Sequence, residues 1–281
     1  MLLRFLCLLS LVLSTVFNLL MGAFDSLTWL WLLPLLALGC LLVFLILAFL
    51  VLVIMASCVK LDKEQEYDSK LYRKVTEMYL EAALPPLRWN IKSKGMDKVP
   101  VNGRFMLVCN HVSLADPIVL LRVFTGYQVA FISKRENQTM FLIGKFMHKL
   151  LCQPINREND REALKTIIKC IQILKEDKAS IGVFPEGYIH ADRKLHHFRS
   201  GVFKIAQKAD VPIVVCTMKN TTHAISNLLH HKHTNIELSV LEVIPAAELK
   251  GQHTTDIAQR VYELMAADLG PENVSQEEEN A

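Results

Sequence analysis

Charge is almost absent from the first 59 residues, where only Arg4 and Asp25 are charged and 47 of the 59 side chains are apolar. The whole chain of 281 residues carries 31 Lys and Arg and 28 Asp and Glu, so the remainder has the charge density of an ordinary soluble domain. This division excludes a wholly soluble protein, a disordered chain and a polytopic transporter. It predicts a globular domain of roughly 200 residues, long enough to bury its own core, that an N-terminal segment attaches to a membrane.

A strong net charge and a cysteine pattern are also lacking. The formal net charge is only +3, and no basic run with interleaved aromatic residues occurs, so a nucleic-acid partner is not expected. The seven cysteines are an odd number and include no CxxC pair. This usage predicts reduced, buried thiols in a cytosolic compartment. No internal repeat is present.

Two long uncharged runs fill residues 1–59 and predict a membrane-anchoring helical hairpin. Residues 5–24 would form a helix of about 30 Å, which is the thickness of the hydrocarbon core. Residues 29–56 would extend about 42 Å by the same rise per residue. Between them, residues 22–26 contain Gly, Asp and Ser, which favour a turn.

The charges that flank the hairpin predict its orientation. Arg4 precedes the first run, Lys60 and Lys63 follow the second, and the turn has no positive charge. Because positive flanks favour the cytoplasmic side, both ends and the globular domain are expected at the cytoplasmic face of the membrane.

Three alternatives to a full hairpin remain open. The first run is a cleaved signal peptide if cleavage occurs near Ala23. A second possibility is a single span over residues 29–56, with the first helix lying in the membrane interface. The third is a re-entrant hairpin in one leaflet, with the second helix bent at Pro34 and Gly39.

The pattern changes after the hairpin. Apolar side chains recur at three- and four-residue steps until Pro85-Pro86, which predicts an amphipathic linker helix over residues 60–86. Strand-like and helix-like segments then alternate over residues 87–270, which predicts an α/β domain with a sheet covered by helices. Residues 271–281 are acidic and predicted to be a flexible tail. The predicted strands are 88–92, 105–109, 128–133, 180–184, 211–217 and 236–243, and the predicted helices are 117–124, 139–150, 160–175, 201–209 and 255–268.

One segment combines a histidine and an aspartate where a strand is predicted to end. The apolar run Phe105–Cys109 leads into Asn110-His111, and Asp116-Pro117 is a helix start, with Asp suited to the N-cap and Pro to the first turn. Ligand sites of open α/β sheets lie at such strand ends. If residues 112–115 form a loop, Asp116 can hold one nitrogen of the imidazole. The other nitrogen is then free to accept a proton from a hydroxyl group. Without that contact, Asp116 is only a helix cap.

A second strand end carries another carboxylate. The run Ile181–Phe184 enters Pro185-Glu186-Gly187, a turn that by itself needs no function. Together, NHxxxxDP and FPEG about 70 residues later resemble the glycerolipid acyltransferases, and most closely the 1-acyl-glycerol-3-phosphate acyltransferase family. Two weaker blocks, one from Phe131 to Arg157 and one from Val211 to Val215, occur in that family's order, so the resemblance covers roughly residues 75–245.

The resemblance implies a fold and a reaction. The fold would be the glycerolipid acyltransferase fold, with a mixed sheet flanked by helices. The enzyme would move a fatty acyl group from a thioester, acyl-CoA or acyl carrier protein, to a free hydroxyl of a lysophospholipid in the membrane. No other cofactor and no metal are implied. His111 would be the general base and Asp116 its orienting partner, Glu186 and Gly187 would hold the acceptor's glycerol, and Lys134 and Arg157 would lie near its phosphate.

One departure from the family pattern bears on the acceptor. The family's FPEGTRS becomes Phe184-Pro185-Glu186-Gly187-Tyr188-Ile189-His190 here, so Ile189 stands where an arginine is usual. Arg193 in the same loop is predicted to substitute as a phosphate ligand, as could Lys194, Arg199 or His190. Alternatively, the acceptor is a lysolipid other than 1-acyl-glycerol-3-phosphate.

Two other classes of function were weighed against this hypothesis. A metal-dependent lipid phosphatase or hydrolase would use the histidines at 190, 196 and 197 or at 230, 231 and 233. Because neighbouring His230 and His231 point apart, these sets are expected to be polar loops. A catalytically silent lipid-binding protein is disfavoured by the intact His111, Asp116 and Glu186.

Overall fold

The computed structural model describes residues 1–156 and 158–276. Its two N-terminal helices, α1 (Leu2–Leu20) and α2 (Trp29–Ser57), are both long and apolar enough to cross a membrane by length and composition. They pack against each other, with Gly22 in the left-handed conformation (φ 64°) at the turn. The hydroxyl group of Ser14 donates a hydrogen bond of 2.7 Å to the carbonyl of Leu33 across the pair. The hairpin geometry predicted from the sequence is therefore present.

The linker helix is shorter than predicted. Helix α3 spans Lys70–Leu87, whereas residues 60–69 are irregular, so the predicted helix over residues 60–86 is wrong in its first ten residues. This stretch is instead held by α5, where Lys145 Nζ bonds the Val59 carbonyl at 2.5 Å and Lys149 Nζ bonds Gln65 at 2.8 Å. The helix continues through Pro85 and Pro86 because each proline removes only one backbone donor near its end.

Seven strands form a single mixed sheet within the described residues. Its order is β1-β7-β6-β2-β5-β3-β4, and β6, β2, β5, β3 and β4 run parallel to one another. Strand β7 is antiparallel to β6 and parallel to β1. The carboxyl ends of five neighbouring strands therefore meet at one edge. The strands are β1 (Trp89–Lys94), β2 (Met106–Cys109), β3 (Val129–Lys134), β4 (Gln153–Ile155), β5 (Ser180–Val183), β6 (Ile213–Lys219) and β7 (Thr234–Ile244).

Helices cover both faces of the sheet and bury two apolar clusters. Met106 and Val108 of β2 face one cluster, which contains residues of α6, α7 and α10, while Leu107 and Cys109 face the other, with α4. This alternation is the two-residue period of a strand buried on both sides. The remaining helices are α4 (Asp116–Val123), α5 (Ile143–Lys149), α6 (Asp160–Lys175), α7 (Lys204–Ala209), α8 (Ala224–Leu229), α9 (Ala246–Leu249) and α10 (Thr254–Leu269).

The start of the predicted tail is ordered rather than flexible. Residues Pro271–Asn273 form a short 3-10 turn, and Val274 makes a β-bridge with Leu195. The Leu195 amide donates to the Asn273 carbonyl at 2.8 Å, and the Ser275 amide donates to the Leu195 carbonyl at 2.9 Å. The prediction of a flexible tail is therefore wrong for residues 271–276, because these backbone groups pair with the domain. Residues 277–281 lie outside the described residues.

Candidate active site

Three of the predicted site residues, His111, Lys134 and Glu186, lie at one edge of the sheet. His111 follows the end of β2, Glu186 follows β5, and Lys134 ends β3. Because β2, β5 and β3 are adjacent and parallel, these three positions are neighbours at the carboxyl ends of the strands. This is the edge at which open α/β sheets bind ligands.

His111 and Asp116 are in direct contact. The His111 Nδ1 atom lies 3.0 Å from Asp116 Oδ2. The same oxygen accepts the backbone amides of Val112 and Ser113, each at 2.8 Å. Asp116 is fully buried, whereas 15% of the His111 side chain remains exposed. A carboxylate oxygen can only accept from Nδ1, so Asp116 selects the tautomer with its proton on Nδ1. Nε2 then carries the free lone pair.

The predicted N-cap role of Asp116 is wrong. Asp116 is the first residue of α4, Ala115 occupies the cap position, and no side chain caps this helix. The carboxylate instead turns back over the loop, where the amides of Val112 and Ser113 bind it. These two bonds fix Asp116 against His111, so the loop is built to hold the histidine rather than to cap the helix.

Glu186 supports the same loop from the neighbouring strand. Its Oε1 accepts the backbone amide of His111 at 2.6 Å, and its Oε2 accepts the amide of His196 at 3.1 Å. The side chain is almost fully buried, and this burial raises the pKa of Glu186 to about 8, against the opposing effect of the two amide donors. Both oxygens are thus engaged by backbone groups. Contact between Glu186 and an acceptor glycerol stays a prediction.

Asn110 and Phe184 complete the support of His111, and the sequence analysis gave neither a role. The Asn110 side chain donates to the Met218 carbonyl at 3.0 Å and accepts the Met218 amide at 2.7 Å. This amide pair takes the place of a backbone pair with β6 and lets the chain leave the sheet at His111. The Phe184 ring stacks on the His111 imidazole, with centroids 4.1 Å apart. A hydrophobic residue directly after a strand was the only signal for the stack.

Two arginines border the loop. The Arg193 guanidinium donates to the carbonyl of Val112 at 2.9 Å, directly beside His111. Arg199 crosses Gly187, where an added Cβ would lie 3.1 Å from its Nε. Gly187 has φ 89°, a conformation that favours glycine. The structure therefore brings the guanidinium of Arg193 to the edge at which the predicted base lies, as a phosphate ligand would require.

The other two predicted phosphate ligands are placed differently. Lys134 is exposed at the end of β3, and its Nζ lies 3.2 Å from Glu136 Oε1. Two strand spacings, about 10 Å, separate its strand from β2. Arg157 lies outside the described residues. Phosphate binding by either residue stays a prediction.

The histidine-rich loop has a defined packing. The rings of Tyr188, His190 and His196 stack in series, with centroids 4.2 Å and 3.4 Å apart. His196 Nε2 lies 2.9 Å from Asp192 Oδ1. Among residues 1–156 and 158–276, no group of three or more His, Cys, Asp or Glu side chains is placed to hold a metal ion.

Comparison with known proteins shows that the part of the chain that forms this site is similar to acyltransferases. The family model described as Acyltransferase matches residues 90–219, which contain β1 except for Trp89, all of β2 to β6, and every predicted site residue. The chain is 34% identical over 135 residues to a probable 1-acyl-sn-glycerol-3-phosphate acyltransferase of Mycoplasma pneumoniae, a match that covers 44% of this chain and 50% of that protein. It is 30% identical over 129 residues to the 1-acyl-sn-glycerol-3-phosphate acyltransferase of Bacillus subtilis, covering 46% of this chain and 62% of that one.

Other relatives are longer than this chain. A chloroplastic 1-acyl-sn-glycerol-3-phosphate acyltransferase of Brassica napus is 28% identical over 156 residues, which are 55% of this chain and 44% of the relative. The chain thus spans about half the length of such curated relatives. The crystal structure of the 1-acyl-sn-glycerophosphate acyltransferase PlsC from Thermotoga maritima has the same fold, with a TM-score of 0.55 at 22% identity over 68% of this chain and 78% of that one.

Proposed function

We propose that the protein is a membrane-bound enzyme that acylates a lysophospholipid, because residues 90–219 match the family model described as Acyltransferase. The donor would be an acyl thioester, either acyl-CoA or acyl carrier protein, and the acceptor a free glycerol hydroxyl. The observation that carries the proposal is the His111–Asp116 contact of 3.0 Å at the carboxyl edge of the sheet. The site contains a base and its orienting partner, which suits direct attack by the acceptor hydroxyl.

The geometry supports a direct acyl transfer, through a tetrahedral intermediate and without a covalent acyl-enzyme. Nε2 of His111 removes the proton of the acceptor hydroxyl while its oxygen attacks the thioester carbonyl. Asp116 stabilises the imidazolium through Nδ1. The tetrahedral intermediate then collapses, the carbon–sulfur bond breaks, and the leaving thiolate takes the proton from Nε2. The products are an ester and a free thiol, and His111 returns to its starting state.

We propose 1-acyl-glycerol-3-phosphate as the acceptor, with phosphatidic acid as the product. Support comes from the relatives, which are named as 1-acyl-sn-glycerol-3-phosphate acyltransferases, and from the position of Arg193 beside the loop of His111. A phosphate monoester carries between one and two negative charges near neutral pH, and burying it unpaired would cost several kcal/mol. At least two cations should therefore converge on it, and Arg193, Lys134 and Arg157 are the proposed set.

The acceptor is best tested at Arg193 and Ile189. We expect Arg193→Ala to raise the KM for lysophosphatidate about tenfold or more, because a charged hydrogen bond is lost. The KM for the acyl donor should not change. Lys208→Ala, which removes an exposed cation of α7, is the control and should have little effect.

The same variants distinguish phosphate binding from support of the loop. If Arg193 only holds the Val112 carbonyl, Arg193→Ala will slow acylation of a phosphate-free monoacylglycerol by the same factor. A silent Arg193→Ala combined with higher activity of Ile189→Arg on lysophosphatidate would indicate that the native acceptor is another lysolipid.

The reaction itself is tested with a labelled acyl thioester and a panel of lysolipids in vesicles. We expect label to move to one or more lysophospholipids, with release of one thiol per ester formed and no effect of a chelator. Release of phosphate or fatty acid that a chelator abolishes would instead support the metal-dependent hydrolase. Binding of lysolipid without transfer would support a silent lipid-binding protein.

We also propose that α1 and α2 anchor the protein in the membrane with the domain on the cytoplasmic face. The lengths and apolarity of both helices and the positions of Arg4, Lys60 and Lys63 support this orientation. Reporters of compartment fused to each end of the chain should both be scored as cytoplasmic. A C-terminal reporter on the opposite side would contradict both the orientation and a cytosolic acyl donor. The test does not depend on whether the hairpin spans the bilayer or is re-entrant.

A further inference from the structure

Three large apolar side chains are exposed in the segment that follows the carboxyl end of β3. Met140, Phe141 and Ile143 are 48%, 55% and 50% exposed, and they form a patch, here called the Met140 patch, between β3 and α5. Large apolar side chains that cluster on a surface mark interaction sites more often than isolated ones do. The acyl-transfer steps described above do not use these residues.

The backbone of the Met140 patch is held in a tight loop. The Gly144 amide donates to the Met140 carbonyl at 2.8 Å. An added Cβ at Gly144 would lie only 2.1 Å from the carbonyl oxygen of Gln138, so only glycine fits this close approach. The loop cannot collapse onto the domain without breaking that packing. Its apolar side chains are therefore presented outward by a fixed backbone.

The direction of α5 places the Met140 patch on the side of the membrane hairpin. Lys149 contacts Gln65, His148 contacts the Lys63 carbonyl, and Lys145 contacts the Val59 carbonyl, two residues after α2 ends. The first turn of α5 therefore lies closest to the end of α2, and its last turn lies further from it. The Met140 patch precedes α5 and lies further along this direction, beyond Lys145.

The length of α2 explains why the bilayer would reach this surface. The 29 residues of α2 extend about 44 Å, against about 28 Å for the 19 residues of α1 and about 30 Å of hydrocarbon. Near its end, Leu50, Val51 and Ile54 remain exposed. A strong tilt of α2, or immersion of the domain beside its last turns, would keep these side chains in lipid. Either arrangement brings α5 to the bilayer surface.

We propose that the Met140 patch inserts into the membrane surface as a second lipid contact of the domain. The proposal rests on the membrane anchoring proposed above. Exposed Lys60 and Lys63 border the same region at the level expected for lipid head groups. Because β3 and β2 end at the same edge of the sheet, insertion at this loop holds His111 at the surface where a lysolipid resides.

Photocrosslinking of the full-length protein tests the contact directly. p-Benzoylphenylalanine replaces Phe141 in protein reconstituted into vesicles of ether-linked phosphatidylcholine, which cannot serve as an acyl acceptor or donor. The same group at Leu47 of α2 is the positive control. At Gln259, which is exposed on α10 over the face of the sheet opposite to α5, it is the negative control. We expect lipid adducts at 141 and 47, and about tenfold fewer or none at 259.

Each other outcome overturns the proposal in a distinguishable way. Labelling at 47 without labelling at 141 excludes insertion while leaving the anchor intact. An adduct at 141 with a second protein chain shows that another copy covers the Met140 patch. Loss of the lipid adduct when a non-hydrolysable acyl thioester analogue is added shows that residue 141 lines an acyl-chain pocket. If position 47 also fails to label, the membrane anchoring itself is wrong, and the insertion fails with it.

A kinetic comparison provides a second, independent measure. We expect Phe141→Asp to raise the KM for a lysolipid presented in vesicles while leaving kcat/KM for a water-soluble short-chain acceptor unchanged, because only the first requires the bilayer. Gln259→Asp should change neither. An equal loss on both acceptors would mean that Phe141 supports the active site rather than the lipid contact.

Discussion

His111→Ala should lower turnover by a factor of about 10² to 10⁴, the range measured for loss of a general acid–base group. At this edge of the sheet, the partly exposed imidazole of His111 lies against the fully buried carboxylate of Asp116. The KM for either substrate should change little, because the imidazole acts on the proton rather than on the head group or the acyl chain. Labelled acyl transfer under saturating substrates measures the effect.

Two further variants make this result specific. His233→Ala removes an exposed histidine to which the mechanism gives no role, and it should keep full activity. Asp116→Asn keeps the size of the partner but can present an amide donor to Nδ1, so it should also lower kcat while the KM values stay unchanged. Near-normal transfer by His111→Ala with a verified acceptor would show that the proposed mechanism is wrong.

Glu186→Gln should be the second large effect, with a loss of activity of about ten- to a hundredfold. The amide of glutamine can accept only one of the two backbone donors that Glu186 binds, and an unpaired buried N–H costs about 1 to 3 kcal/mol. Loss of the hydrogen bond from the His111 amide to Oε1 would release the backbone that positions the imidazole. We therefore expect kcat to fall while the KM for the acceptor is unchanged.

The comparison of kcat with KM decides between two roles of Glu186. If the side chain holds the acceptor's glycerol, as the family resemblance implies, Glu186→Gln will raise the acceptor KM more than it lowers kcat. Glu186→Asp retains the charge but is one methylene shorter, so it should lose activity if both backbone contacts matter. Glu237→Gln, an exposed carboxylate on β7, is the control and should be silent.

Much of the domain could be predicted because its elements are long and strongly patterned. Helix α6 begins and ends at the predicted residues 160 and 175, and α10 extends the predicted 255–268 by one residue at each end. Strand β4 was missed because Gln153–Ile155 is only three residues long and contains a proline. A short strand at the edge of a sheet has too few side chains for a period to show.

The candidate site also contains contacts that could be predicted from the sequence and contacts that could not. The contact between His111 and Asp116 could be predicted because only four residues separate them and they had to form a loop. The roles of Asn110 and Glu186 could not, because they depend on partners 108 and 75 residues away in the sequence. Those partners become neighbours only when β2 lies between β6 and β5, and the sequence does not reveal the order of strands.

The bridge between Leu195 and Val274 ties the end of the described chain to the loop that carries Arg193 and His196. Because the backbone of residues 273–275 pairs with Leu195, this loop is held by a segment almost 80 residues downstream. Shortening the protein before residue 276 would remove these hydrogen bonds and loosen a loop whose His196 amide is bound by Glu186. Affinity tags and compartment reporters therefore belong after residue 276, where they leave these backbone hydrogen bonds intact.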